Sequence, residues 1–136
     1  MRLLAPLLLV AALAAIAVTG YWLKRPAGAV AVDCADPLSG CIFSHRDATV
    51  AVRFSEQPAP MAMFELQVRT PAASRISAEF QMVGMDMGFN RYDLRPDGHG
   101  AFSSQVTLPV CVSGRRDWTL YLDVDGLRYA LPFSTR

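Results

Sequence analysis

Three methionines, Met82, Met85 and Met87, fall within the run QMVGMDMG, with Gly84 and Gly88 interleaved. Thioether sulfur is a soft donor that suits Cu(I), whereas Mg²⁺ and Ca²⁺ want oxygen. In an extended chain, residues two apart project to the same side with Cα atoms about 6.7 Å apart. Met85 and Met87 can therefore aim at one ion while Asp86 points away. Glycines at 84 and 88 let the strand bulge and bring Met82 within range as a third donor. His99, near the tip of the turn 96–100, is a candidate imidazole donor if that turn folds back over the methionines. Cys111 is a weaker candidate, and His45 weaker still.

The competing account is packing. Methionine fills irregular gaps in cores, and Met82 continues the apolar face of Ile76, Ala78 and Phe80; Met61 and Met63 read as core on the same grounds. Met85 and Met87 read as a functional surface, because glycine-flanked loop positions seldom lead into a core.

Other chemistry is sparse. A hydrolase needs a nucleophile, a base and a group that orients the base. The chain has two histidines and lacks GxSxG, HExxH and any phosphate-cradling glycine loop. Asp86, Asp97 and Asp117 read as solvated turn carboxylates, and the expectation is a protein that is not an enzyme. Setting Arg2 aside, the 13 basic residues become equal in number to the 12 acidic ones, so no basic stripe invites nucleic acid.

Cys34 and Cys41 bracket ADPLSG, a polar loop with Pro37 and Gly40. A bond between them would stabilise the fold by about 2.5 kcal/mol on the loop-entropy model and would persist only in an oxidising compartment. The alternative is three reduced cysteines in a cytoplasmic domain. Redox work by the pair is disfavoured because the spacing is not CxxC.

The elements that must carry these residues begin with a membrane segment. Leu3 to Leu23 contains no charge, and as a helix it would be about 31 Å long, the thickness of a bilayer core. Tyr21 and Trp22 precede Lys24 and Arg25 as interfacial aromatics precede solvated charges. The reading is an uncleaved signal anchor over 1–25, a linker over 26–33 and a folded domain over 34–136. A cleaved signal peptide, with Ala29-Val30-Ala31 as the small-x-small site, is the competitor. Arg2 against Lys24 and Arg25 leaves the positive-inside rule tied, and the cysteines then place the domain in the periplasm of a bacterium, tethered to the inner membrane.

Beyond the anchor the pattern is strand-like throughout. Val50, Val52 and Phe54 alternate with polar neighbours, as do Phe64, Leu66 and Val68, then Phe102, Val106 and Leu108, then Trp118, Leu120, Leu122 and Val124. Asp125-Gly126 predicts a type I′ hairpin into Leu127, Tyr129, Leu131 and Phe133. About seven short strands with one apolar face each predict an all-β fold, an immunoglobulin-like antiparallel β-sandwich preceded by one transmembrane helix, with a small barrel as the alternative.

The proline-broken QPAP, the run EFQMVGMDMGFNRYDL, the glycine-rich turn and LPVCVSGRRDW before the last hairpin, behind a short anchor and a cysteine loop, resemble small membrane-anchored periplasmic proteins of proteobacteria. Their sandwich is similar to the FixH-like and YtkA-like families. The resemblance covers about residues 34 to 134 and implies copper delivery or assembly of haem-copper oxidases. Partners would be a cytochrome oxidase subunit or a Sco-type thiol copper chaperone. By that likeness Met85 and Met87 face the metal, with Met82 as a third ligand. The chain lacks the His-x-Met pair and the dense Met/His cluster of copper carriers. An interaction module without metal, using exposed methionines as an adaptable contact patch, is the expectation from another functional class.

Overall fold

The computed structural model describes residues 4–24, 28–34, 36–88, 90–110 and 112–136. Arg2, Arg25, Phe89 and Cys111 lie outside these, so the anchor's flanking arginines and the Cys111 donor receive no structural account. Helix α1 spans Leu4–Lys24. Its stretch Ala5–Leu23 has a mean hydropathy of 2.0 and none of it is buried against the rest of the chain. This one helix is long and apolar enough to cross a membrane.

Ten strands follow among the described residues: β1 Val30–Ala31, β2 Cys41–His45, β3 Ala48–Phe54, β4 Met63–Arg69, β5 Ile76–Met82, β6 Arg91–Asp93, β7 Arg95–Pro96, β8 Ala101–Thr107, β9 Asp117–Val124 and β10 Leu127–Ser134. They form two five-stranded sheets, β1-β10-β9-β5-β6 and β2-β3-β4-β8-β7. Every pairing is antiparallel except β1 with β10.

The alternation read from the sequence is realised strand by strand, except that Leu127, next to the hairpin turn, is exposed. Trp118, Leu120, Leu122 and Val124 of β9 face inward, as do Tyr129, Leu131 and Phe133 of β10 and Phe64, Leu66 and Val68 of β4. Phe80 sits at the centre, with ring centroids 6.0 to 6.5 Å from Phe64, Phe54, Phe133 and Tyr92. The contacts with Phe64, Tyr92 and Phe133 are edge-on, the arrangement that ring quadrupoles favour.

The count of about seven strands falls short of ten for identifiable reasons. Strands β1 and β7 have two residues each and β6 has three, too few for any period to register. Strand β2 hides its pattern, since CIFSH buries a cysteine and a histidine while Ile42 is exposed. The linker placed at 26–33 ends inside the fold: Val30 and Ala31 pair with Tyr129 and Ala130, Val32 is buried, and its N–H donates to the Ala130 carbonyl. Pro132, two residues on along the same edge of β10, has no N–H to offer, and pairing with β1 stops there.

Strand β1 runs parallel to β10, so the chain from α1 joins the domain at the end carrying Leu127 and the Asp125-Gly126 turn. The same end carries the 71–75 turn, because the Asp125 carboxylate accepts N–H bonds from Ser74 and Arg75 at 2.8 to 3.1 Å. Asp125 holds a left-handed φ of 46° and Gly126 one of 87°, as a type I′ turn requires.

Those bonds, from Ser74 first and then Arg75, hold the Asp125 carboxyl below the usual carboxylate range. A depressed folded-state pKa contributes stability above the unfolded pKa and loses it as pH falls through the folded value. Asp125→Asn is therefore expected to lower the thermal midpoint at neutral pH, with a free-energy cost of about 1 kcal/mol after allowance for solvent screening. The difference from the unchanged protein should shrink when both are melted near pH 2. An equal difference at both pH values would reject the assignment.

Candidate functional site

Strand β5 ends at Met82, and a tight turn follows. The Met85 N–H donates to the Met82 carbonyl at 3.2 Å and the two residues form an antiparallel bridge. Gly84 occupies the third position of that turn with φ +76°, a conformation that side chains with a Cβ resist. Residues paired in this way project to the same side of the ribbon, so Met85 stands beside Met82 and Met87, two residues on, returns to that side.

The return path is longer than the strand that it follows. Met82 pairs with Met85 and Glu79 with Arg91, so six steps of chain return along three, and the excess must bulge. Gly88, with φ +68°, accommodates the bulge. Gln81 pins it on the outer face: its Oε1 accepts the Met87 N–H at 3.1 Å, and its Nε2 donates to the Glu79 carboxylate at 2.7 Å. The Asp86 carboxylate accepts the Gly88 N–H, and the Asn90 amide donates to the Phe80 carbonyl.

The three sulfurs are graded from inside to outside. Met82 is 3% exposed, Met87 is partly buried against the core, and Met85 is 38% exposed. Above Met82 lies the segment leading into β9: the Ser113 hydroxyl is 3.9 Å from the Met82 sulfur, and the Val83 N–H donates to the Asp117 carbonyl. Asp117 is clasped by Arg115 at 2.8 and 3.1 Å, and this guanidinium, followed by a backbone N–H, holds its carboxyl below the usual range. A Cβ on Gly84 would stand 3.6 Å from Arg115 Nη1, so the ion pair packs directly over the methionine turn.

Met61 and Met63 do not join the core as their pattern suggested. They are 72% and 67% exposed. Met61 takes a left-handed φ of 64° after the prolines and donates its N–H to the Leu108 carbonyl, while Met63 opens β4 on the face opposite to Phe64, Leu66 and Val68. All five methionines beyond Met1 thus stand at one end of the sandwich, together with exposed Val83, Val110 and Val112. It is the end opposite to that at which the chain from α1 joins. No single run of sequence announces this gathering, which comes from three loops brought together by the register of two sheets.

The histidines are elsewhere. Leu94 donates its N–H to Ile76 at the start of β5, and the chain continues past that point through β7 to His99. Seven residues of β5, about 20 Å, separate His99 from the methionine turn. His99 instead sits in a loop organised by Asp97, whose carboxylate accepts its N–H at 2.7 Å and that of Ala101 at 3.1 Å. His45 is fully buried at the same far end, with Nδ1 2.7 Å from the Tyr129 hydroxyl. The structure therefore pairs Met85 with Met82 on one turn, packs Met87 of the returning chain against the core, and leaves both histidines at the other end.

Cys34 and Cys41 stand at disulfide distance, with Cα atoms 5.4 Å apart and both side chains buried. Among the described residues, no three side chains from His, Cys, Asp and Glu form a cluster that could hold a metal ion. No family model, curated protein or solved structure matches this chain.

Proposed function

We propose that this is a membrane-tethered periplasmic module, with an immunoglobulin-like sandwich, that binds Cu(I) through Met82, Met85 and Met87 and passes it on. Copper homeostasis or the assembly of a cytochrome oxidase is the setting, and an oxidase subunit or a Sco-type thiol chaperone the acceptor. One observation supports the reading: a glycine turn pairs Met85 with Met82 and leads back through Met87, at the end of the domain opposite to that at which the chain from α1 joins. A neutral thioether set suits a monovalent soft ion. Its graded exposure suits transfer, since Met85 can meet an incoming or departing ion before the buried Met82 does.

The tether fits that task. The chain between Lys24 and Val30 spans at most about 20 Å, while the eight residues of β10 extend the domain by about 25 Å. The methionine end thus stands clear of the bilayer, within reach of another protein's extramembrane domain.

A second reading rests on Val110 and Val112, exposed beside the methionines: a contact patch that binds a protein partner without metal. Anaerobic titration of the full chain in detergent micelles with Cu(I), against a competing chelator, separates the two. Replacing both Met85 and Met87 with serine should weaken Cu(I) binding by about a hundredfold, or about 2.7 kcal/mol. Equal affinity in the two proteins would reject the copper reading and leave the contact patch.

A further inference from the structure

Beside the methionine turn, a cleft of about 420 Å³ opens between the sheets. Its floor is Phe54, Trp118 and Phe133, and Val83 joins it to the methionine end. Pro37, Pro58 and Pro132 stiffen three of its walls, and the Cys34–Cys41 loop forms another. A preformed, largely apolar concavity of this size with a few polar groups is the usual form of a binding pocket.

Two further features say what it takes. The charged residues that line it are Asp36 and Asp117, with no cationic side chain among the lining residues. The Asp36 carboxylate accepts bonds from the Ser39 hydroxyl and from the Leu38 and Ser39 N–H groups, which hold it below the usual carboxylate range and keep it ionised. Asp117 already shares its charge with Arg115, so Asp36 is the open anionic wall. In the floor, Trp118 offers an apolar ring edge, its indole N–H being buried with no acceptor among the described residues.

The geometry points to a peptide-binding site for an extended segment of a partner protein that carries an apolar side chain beside a lysine or arginine. The apolar side chain lies on the aromatic floor and the cation faces Asp36. Placed next to Met85, the site holds a partner against the end of the domain. It does not require metal.

The test uses the full chain with Trp22→Phe in lipid nanodiscs, which leaves Trp118 as the one tryptophan. The probes are two blocked tetrapeptides, acetyl-Lys-Phe-Lys-Leu-amide and acetyl-Glu-Phe-Glu-Leu-amide, and the readout is Trp118 emission. The lysine peptide should give a saturable shift at concentrations about tenfold lower than the glutamate peptide. Leu38→Lys, which adds a cation to the wall, should reverse that order, with far-UV circular dichroism to establish that the variant is folded. Asp36→Asn should abolish the preference. No saturable response, equal response to the two peptides, or an order unmoved by Leu38→Lys overturns the proposal. Met85→Ser with Met87→Ser should leave peptide binding within about twofold, so loss of the copper site and loss of this site are separable.

Discussion

Met82→Ala is expected to lower the free energy of unfolding by about 2–4 kcal/mol, whereas Met85→Ala should change it by less than about 0.5 kcal/mol. The two residues are bridge partners three positions apart in the same turn, yet one is 3% exposed and the other 38%. Met82 faces Trp118 across the register of β5 and β9 and lies under the Ser113 hydroxyl. Truncating it leaves a cavity in a packed wall, while Met85, at 38% exposed, withdraws less buried surface. Urea unfolding of the full chain in micelles, followed by far-UV circular dichroism, measures both. A Met82→Ala cost below about 1 kcal/mol would mean that its sulfur is not part of the core. The pairing of a structural thioether with a solvent-facing one also fixes how copper experiments should be read. Serine at 85 and 87 tests ligands, and serine at 82 tests ligand and fold together.

That division was half legible in the sequence. Met82 continued the period of Ile76, Ala78 and Phe80, and period two is a reliable sign of a shared face. The turn at Gly84 was readable as a turn, though not as a hairpin that folds Met85 back beside Met82. The sequence does not say that Gln81 and Asn90 will clamp the returning chain. Met61 and Met63 show the limit of pattern reading from the other side. Met61 precedes β4 with a left-handed backbone, and Met63 falls on the outer face of β4, opposite to Phe64, Leu66 and Val68. His99 could join the methionines only if the 96–100 turn folded back over them, and the direction of β5 carries that turn to the other end. The long strands were legible because eight-residue runs such as DWTLYLDV and LRYALPFS repeat their pattern four times. The two-residue strands cannot repeat it at all.

Tyr129→Phe should destabilise the fold by about 1–3 kcal/mol, although it removes one oxygen from a well-packed position. Tyr129 is the partner of His45, whose other ring nitrogen, Nε2, is buried with no hydrogen bond among the described residues. Without the hydroxyl, a fully buried imidazole would have no polar contact, and a buried polar group left unpaired costs its desolvation. Replacing the imidazole as well should return part of that loss. His45→Leu with Tyr129→Phe is thus expected to be more stable than Tyr129→Phe alone, and the double-mutant cycle should show a coupling of about 1 kcal/mol or more. Additive costs would mean that the 2.7 Å contact contributes nothing. The pair matters because of where it stands. His45 ends the edge strand β2 of one sheet, Tyr129 lies in β10 of the other, and Val30 of β1 pairs with Tyr129 from the opposite edge. One side-chain contact therefore joins the two sheets at the level where the chain from the helix enters. Loosening it should raise amide hydrogen exchange in β1 and β2 before it does so in β5 and β9. The methionine end, held from β5 and β9, would keep its exchange protection in Tyr129→Phe while the end at which the chain from α1 joins frays.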